Sequence, residues 1–287
     1  MSRLRLAALA LGVSLLLGCV SEEAALPQDK ELTLEPWVGH WDRALELHKE
    51  PGLRALRRGP HLALSTLRVS PARPEELAPG PAALIVVEGG GLYETSAGEH
   101  FKLEPGTCGL VSGGRLIAGS ELRALVLTPE GKARGALAQP TILGVDQLFP
   151  DEVTAPPGKI VEVARAPGLS LHVGAIHKLA GLRRHAHLRH DVMLFFLSGL
   201  GTMGVGSEGG DTTSGSRGDE LLKRGFTSSP ISERALAFLP AEAPHSFVNQ
   251  GETTLLLAVF GPDFDGSDGH TIPDASRKET PRSARTE

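Results

Sequence analysis

An internal repeat constrains the fold of this 287-residue chain more than any other feature of its sequence. The segment Leu-Ile-Val-Val-Glu-Gly-Gly-Gly (84–91) parallels Leu-Phe-Phe-Leu-Ser-Gly-Leu-Gly (194–201). A second pair of segments, 125–129 and 258–262, lies further apart, and the polar, glycine-rich residues 205–225 account for most of the extra length. Two copies of one unit predict two packed β units of similar strand order.

The local pattern between the repeats is that of short strands joined by turns. Abundant glycine and proline (35 and 21 residues) favour turns. Short apolar runs typical of buried strands occur at 83–87, 124–127, 194–197 and 255–260. Helical spacing of apolar residues occurs before Pro51, at Trp41, Ala44, Leu45 and His48. We therefore predict an all-β protein of two barrels with a short N-terminal helix.

Charge and cysteine content exclude some classes of protein. The chain has 29 basic and 34 acidic residues, a net charge of −5, so we expect no nucleic-acid partner. Its two cysteines, Cys19 and Cys108, cannot form a disulfide framework. Cys108 lies in an apolar run and is predicted to be a small buried core residue rather than a nucleophile.

The N-terminus has the features of an export signal. Arg3 and Arg5 precede an apolar stretch, residues 6–17, that is short for a membrane span. The stretch ends in Leu-Leu-Gly-Cys (16–19), which resembles a bacterial lipobox. That resemblance implies a signal peptide over 1–18, a lipid on the Cys19 thiol and a tether over 19–36. The protein would then sit on the cell envelope, at its periplasmic or outer-membrane face. An ordinary signal peptide or an uncleaved anchor is the alternative.

One group of residues suggests metal chemistry. His185 and His187 are two apart, so on a strand their side chains share a face. Neutral imidazoles bind Zn, Fe, Ni or Cu, and a third imidazole from a distant strand would complete one side of a coordination sphere. His245, in Pro-Ala-Glu-Ala-Pro-His-Ser-Phe-Val-Asn (240–249), is the candidate for that third ligand.

These two segments resemble the two cupin motifs. The second cupin motif, Pro-x-Gly-x-x-His-x-x-x-Asn, matches Pro240, His245 and Asn249, with Glu242 in place of the glycine. In the first motif, His-x-His is followed by an apolar strand that closes on Gly199. The leading glycine of that motif is missing, because Leu179 occupies its position and Gly181 is the nearest glycine.

The resemblance implies two cupin-type barrels of the double-stranded β-helix, or jelly-roll, kind. A degenerate barrel with the leading helix is predicted over 37–140, a metal-binding barrel over 141–264 and a disordered tail over 265–287. Offset by 110 residues, the two motif histidines align with Glu75 and Leu77, so we predict that the first barrel is metal-free and structural. The other histidines are predicted to be surface or satisfied core residues: His40, His48, His61, His172 and His177. Barrel core is predicted for Phe195, Phe196, Phe238 and Phe247.

The fourth ligand has two interpretations. Counting forward from His187 places Asp191 at the acidic position of the motif, whereas counting back from Gly199 places Val192 there. The predicted metal site is His185, His187, Asp191 and His245. In the alternative register His190 lies near a three-histidine site, which would resemble the three-histidine iron sites of some cupin dioxygenases.

The cupin resemblance implies one divalent transition metal and a small-molecule ligand or substrate. Fe fits the imidazole-rich set best, and Mn, Ni and Zn are compatible. Arg183 and Arg189 are candidates to hold an anionic substrate. We expect a lipid-anchored dioxygenase or isomerase of a small organic acid, with catalytic residues not identified by the sequence. A metal-dependent binding module and a structural lipoprotein with a vestigial site are the alternatives, and oligomer formation is left open.

Overall fold

The computed structural model describes residues 35–46, 48–131, 137, 139–149, 160–178, 180–206, 226–264, 266 and 269–271. The predicted signal peptide, Cys19, most of the tether, nearly all of the glycine-rich insertion and the end of the tail lie outside those residues. None of the helices among the described residues is long and apolar enough to cross a membrane.

The described chain begins with a strand and a short helix. Strand β1 spans Trp37–His40, and helix α1 spans Trp41–Glu46. The helix buries Trp41 and Ala44, as the spacing of apolar residues predicts. It is shorter than the range of about 37–58 in which the sequence places one helix, because residues 37–40 pair in a sheet and Gly52–Arg58 form another strand.

The first barrel consists of two facing antiparallel sheets. Its strands are β2 (Gly52–Arg58), β3 (Leu62–Val69), β4 (Glu75–Glu76), β5 (Pro81–Glu88), β6 (Gly91–Glu94), β7 (His100–Leu103), β8 (Cys108–Ser112), β9 (Arg115–Ala118), β10 (Leu122–Pro129) and β11 (Thr141–Leu143). One sheet has the order β11-β8-β5-β10-β3-β2, and the other has the order β4-β9-β6-β7. Helix α2 (Val145–Leu148) follows.

The second barrel repeats this arrangement. Its strands are β12 (Ile160–Ala166), β13 (Leu169–His177), β14 (Gly181–His187), β15 (Asp191–Ser198), β16 (Gly201–Gly206), β17 (Phe226–Ile231), β18 (Ala235–Leu239), β19 (His245–Asn249), β20 (Thr253–Gly261) and β21 (Gly269–Thr271). The sheets have the orders β1-β18-β15-β20-β13-β12 and β17-β16-β19-β14-β21. The four apolar runs identified in the sequence lie in β5, β10, β15 and β20, as predicted.

Strand β15 faces two different cores. Val192, Leu194 and Phe196 pack inside the second barrel. Met193 and Phe195 point the opposite way, into a second core between the two barrels. Residues of both barrels form this core, among them Leu62, Leu64, Leu169 and Phe238. Because successive side chains of a strand alternate between faces, a strand segment buried on both sides is expected to be continuously apolar, as residues 192–197 of β15 are. All four phenylalanines predicted to be core are buried.

Each barrel includes one edge strand from the range predicted for the other barrel. Strand β1 precedes the first barrel in the chain but pairs with β18 of the second, with Trp37 opposite Phe238. Strand β11 follows residue 140 but pairs with β8 of the first barrel, with Thr141 opposite Leu110. The sheet pairing therefore differs from the predicted range 37–140 at both ends. Residues 37–40 pair with the second barrel, and residues 141–143 pair with the first.

The C-terminal segment is more ordered than its polar composition predicts. Residues 269–271 form β21, which pairs with β14: Gly269 lies opposite His187, and Thr271 lies opposite His185. The predicted disordered tail is wrong for these three residues. Backbone hydrogen bonds to the open edge of β14 order them without a requirement for apolar side chains.

Candidate metal centre

A β-bulge turns the two motif histidines of β14 into the second barrel. Leu182 lies opposite Phe247, and the next paired residues are His185 and His245. Three steps along β14 thus match two along β19, which is the count expected of a bulge. Since Leu182 and Phe247 face the barrel interior, the extra residue brings His185 to the same face. His187, two residues on, follows it.

The three predicted histidines come together. His185, His187 and His245 each offer a ring nitrogen, and these three nitrogens lie within 4.8 Å of one another. The ring centroids of His185 and His245 are 4.2 Å apart, and those of His185 and His187 are 5.0 Å apart. His187 and His245 are buried, and the ring of His185 lies at the less enclosed side. Within the described part of the chain, no carboxylate joins this group of ligand atoms.

Hydrogen bonds set the tautomer of two of the rings. Nδ1 of His185 donates to the carbonyl oxygen of Arg183 (2.6 Å), and Nδ1 of His245 donates to that of Ala243 (2.9 Å). A carbonyl oxygen only accepts, so each Nδ1 carries the proton and each Nε2 keeps its lone pair. Metal-binding histidines adopt this arrangement: one ring nitrogen binds the metal, and the other donates its proton to an acceptor such as a backbone carbonyl.

Burial favours the neutral form of His185 and His245. Loss of solvent lowers the pKa of His185, against the effect of its bond to the Arg183 carbonyl. Burial also holds the pKa of His245 well below 6.5, and the charges of His185 and His187 lower it further. Neutral imidazoles are the form that binds a metal. The donor set therefore fits a divalent transition ion.

The structure places Asp191 outside this group, which corrects the predicted ligand set. Asp191 is fully buried at the start of β15, and its carboxylate accepts three backbone hydrogen bonds. Oδ2 accepts from the amides of His61 (2.7 Å) and Leu62 (2.9 Å), and Oδ1 accepts from that of Ala241 (2.8 Å). Burial raises the pKa of Asp191, while these amides oppose the shift. The register counted back from Gly199 is correct, because Val192 faces the barrel interior.

Comparison with solved structures gives a consistent result for the fold. A cupin 2 conserved barrel domain protein from Leptotrichia buccalis superimposes with a TM-score of 0.56 at 14% identity, covering 78% of this chain and 96% of that one. A salicylate 1,2-dioxygenase from Pseudaminobacter salicylatoxidans gives 0.58 at 12% identity, covering 83% and 87%. This chain has the cupin fold.

Other comparisons agree with that assignment or find nothing. A variant of the oxalate decarboxylase of Bacillus subtilis gives a TM-score of 0.52 at 10% identity, covering 86% of this chain and 81% of that one. At these identities the likeness concerns the fold alone. Comparison with protein-family models and with curated protein sequences finds no match.

The other residues of the cupin motif have structural roles here. The side-chain amide of Asn249 donates to the carbonyl of Ile176 (2.7 Å), and its oxygen accepts from Thr254 Oγ1 (2.9 Å). Glu242 has a φ of 70°, which explains why the motif carries glycine at this position. Gly199, with a φ of 105°, packs so closely on Thr254 that a Cβ would lie 2.6 Å from its Cα.

Two stacked phenylalanine rings lie beside the three histidines of the candidate site. Phe260 and Phe264 are stacked with centroids 4.6 Å apart, and both rings meet the edge of His187 at just over 5 Å. His190 is buried 6.3 Å from His187 between ring centroids and 5.2 Å from Phe264. Phe264 is not among the residues predicted from the sequence, because its only signal is a single aromatic side chain at the start of a polar tail.

The two arginines predicted to hold a substrate are both exposed. Arg183 lies on the bulge of β14, and Arg189 lies on the turn that follows His187. Arg184 lies in β14 between Arg183 and His185, and its guanidinium stacks over the ring of Phe226, 3.9 Å from the centroid. The structure therefore puts two positive charges on the surface near the ligand strand.

The first barrel offers different chemistry at the corresponding place. Strand β4 takes the position of β14, with Glu75 opposite Leu116 of β9. A cavity of about 460 Å³ opens there between Glu75, Glu76 and mostly apolar side chains. The prediction that this barrel binds no metal stays a prediction.

Three other side chains identified in the sequence, Cys108, His48 and His172, are buried in the core. Cys108 is buried, as predicted, and burial raises the pKa of its thiol to about 12, which disfavours the thiolate. His172 is buried with Nε2 2.8 Å from Ser170 Oγ, and His48 is buried with Nδ1 2.8 Å from Thr66 Oγ1. Both are the satisfied core histidines that the sequence predicts.

Proposed function

We propose that the protein is a lipid-anchored bicupin whose second barrel holds one divalent metal and acts on a small organic acid as a dioxygenase or isomerase. The observation that carries this proposal is the meeting of the His185, His187 and His245 nitrogens within 4.8 Å. Two of these rings present an unprotonated Nε2 because their Nδ1 atoms donate to carbonyls.

The metal that suits this donor set best is Fe(II), with Mn, Ni and Zn as compatible ions. Three neutral imidazoles and no carboxylate form a borderline donor set without charge of its own. A bound ion of this kind supplies Lewis acidity and leaves coordination positions open for a substrate or O2. The role of the protein residues is to hold the three imidazoles together, two of them with the proton on Nδ1, and to limit access of water.

The surroundings of the site support an organic acid as the ligand. Arg183 and Arg189 are exposed beside the ligand strand and provide positive charge for a carboxylate. The stacked rings of Phe260 and Phe264 offer an apolar surface for the remainder of the molecule. Two proteins of similar fold are named for organic acids, oxalate and salicylate.

Metal content of the purified protein tests the site. We expect about one divalent ion per chain, and we expect His185→Ala, His187→Ala and His245→Ala each to reduce affinity at least 10–100-fold, the usual cost of much milder changes around a metal site. Glu75→Ala, at the corresponding place in the first barrel, is the matched control and should retain the ion. Equal metal content in all five proteins would refute the metal site.

Oxygen consumption separates an enzyme from a binding module. The iron-loaded protein should consume O2 when oxalate, salicylate or related acids are added, and His187→Ala should abolish the uptake. Binding of such acids, seen as a change in the visible spectrum of the iron form, without O2 uptake or isomerised product would favour a ligand-capturing module.

The cellular location is proposed from the N-terminal sequence alone. A lipid on Cys19 would hold the protein on the envelope, since each buried CH2 of an acyl chain contributes about 0.8 kcal/mol to membrane binding. Cys19→Ser should release the protein from the membrane fraction or leave the signal uncut. A variant that fractionates and migrates like the wild type would refute lipidation.

A further inference from the structure

Asp191 is a buried carboxylate that joins the two barrels at the edge of the metal site. Its Oδ2 is bound by the amides of His61 and Leu62, at the start of β3 in the first barrel. Its Oδ1 is bound by the amide of Ala241, in the 240–244 loop between β18 and β19 of the second barrel. The three partners are backbone groups, so what the carboxylate controls is the position of two chain segments.

The 240–244 loop contacts two of the three proposed ligands. The amide of Glu242 donates to the carbonyl oxygen of His187 (2.6 Å). The carbonyl oxygen of Ala243 accepts from Nδ1 of His245 (2.9 Å) and thereby sets the tautomer and orientation of that ring. A displacement of the loop at Ala241 therefore reaches the backbone of one ligand and the ring of another.

Gly59 brings the first barrel close against the same carboxylate. A Cβ on Gly59 would lie 2.3 Å from Oδ2, 2.8 Å from Cγ and 3.2 Å from Oδ1 of Asp191, and these are the three nearest atoms. Gly59 is not among the glycines of positive φ, so its backbone suits alanine. A side chain at this position would therefore collide with the carboxylate of Asp191.

We propose that Asp191 is a positioning residue for the metal site, through which the first barrel sets the 240–244 loop and with it His187 and His245. This inference rests on the proposed metal-binding function. The proposal gives the first barrel a specific role at the site. The two amides at the start of β3 fix Oδ2 of Asp191, and Oδ1 is then in position to bind the 240–244 loop. A carboxylate suits this role because both of its oxygens accept hydrogen bonds, whereas an amide has one accepting oxygen.

Two variants test the proposal from opposite sides. Asp191→Asn leaves the amides of one of the two chain segments without an acceptor. Gly59→Ala places a methyl group of the first barrel against the carboxylate of Asp191. Leu116→Ala, which creates a cavity in the first barrel's own core, is the control for loss of stability without a contact to Asp191. Each protein is examined for its melting temperature without metal, its dissociation constant for Co(II) and the visible spectrum of the Co(II) form.

We expect Asp191→Asn and Gly59→Ala each to weaken Co(II) binding by about 10-fold or more and to change the Co(II) spectrum. Because both act on one carboxylate, their effects on Co(II) affinity should be non-additive in the double variant. Leu116→Ala should lower the melting temperature and leave both metal readouts at wild-type values. If Asp191→Asn does not fold, Gly59→Ala alone decides the matter. Wild-type affinity and spectrum in the folded variants would overturn the proposal.

A metal-free measurement keeps this proposal distinct from the proposed function. In the protein without metal, the NMR signals of the His187 and His245 rings should shift in Gly59→Ala and Asp191→Asn and remain in place in Leu116→Ala. Absence of Co(II) binding by the wild type refutes the metal site, whereas unchanged ring signals in both variants refute the positioning role of Asp191.

Discussion

At the scale of single residues, burial decides the charge of His172 in the second barrel. His172 is only 5% exposed and lies edge-on to Phe260 at 4.8 Å between centroids. Burial lowers its pKa to about 4, and the charge of Arg165 also lowers it, while Glu162 acts in the opposite direction. The unfolded chain takes up a proton at this side chain near pH 6.5, whereas the folded chain does not.

This difference predicts an acid-sensitive contribution to stability. Between the folded and unfolded pKa values the unfolded state binds more protons, so the free energy of unfolding falls as pH falls through that window. For His172 the loss between about pH 7.5 and about pH 5 should be about 2 kcal/mol, with a folded pKa of about 4. We expect urea unfolding of His172→Phe to show a smaller pH dependence than the wild type by this amount.

Ser170→Ala is the control for that experiment. It removes the Oγ atom that lies 2.8 Å from Nε2 of His172 but leaves the titrating ring in place. Its stability should change at every pH by a similar amount and keep the wild-type slope. Identical slopes for the wild type and His172→Phe would show that His172 does not titrate differently on folding.

At the scale of elements, β14 is the strand that carries two of the three proposed ligands. It lies between β19, which carries the third, and β21 from the C-terminal segment. Without β21, the backbone of His185–His187 would form an open sheet edge. Edge backbone groups exchange with water and open locally more often than paired ones.

Removal of β21 should therefore loosen the ligand strand. We expect a chain ending at Gly266 to show amide hydrogen exchange at His185–His187 about tenfold faster than the full chain, because local opening needs fewer broken hydrogen bonds. A chain that ends at Asp274 keeps β21 and is the control. Equal protection of these amides in both truncated chains would show that β21 does not secure the strand.

At the scale of the whole molecule, strand β1 and a shared core tie the two barrels together. Strand β1 completes the sheet of the second barrel, and β11 completes that of the first. Met193, Phe195 and Phe238 of the second barrel pack with residues of the first in one buried cluster. Separation would expose this apolar surface and the edge of β18.

Neither half should be an independent domain. We expect a fragment of residues 141–287 to aggregate, or to bind a hydrophobic dye and lack near-ultraviolet dichroism, because burying a large core side chain contributes about 1.5–3 kcal/mol and several are exposed here. The chain 35–287, which retains β1 and the first barrel, is the control and should elute as a folded protein. A soluble fragment with native dichroism would contradict this expectation.

Features set by neighbouring residues were predictable from the sequence. The continuous apolar runs of β5, β10, β15 and β20 and the repeat between them determine two β barrels, because strand burial is encoded in short-range periodicity. The spacing of His185 and His187 likewise determines that they share a face. The cupin motif added His245, from a strand remote in sequence.

Features that depend on which segments become neighbours were decided by the tertiary structure. Asp191 and Val192 are both acceptable at the start of β15, and only the packing of Val192 inside the barrel and of Asp191 against β3 separates the two registers. The pairing of β1 with β18 and the packing of Phe264 beside His187 also rest on contacts across long stretches of chain. Backbone hydrogen bonds hold these segments, and every sequence carries the same backbone groups, so their partners are set by the assembled fold.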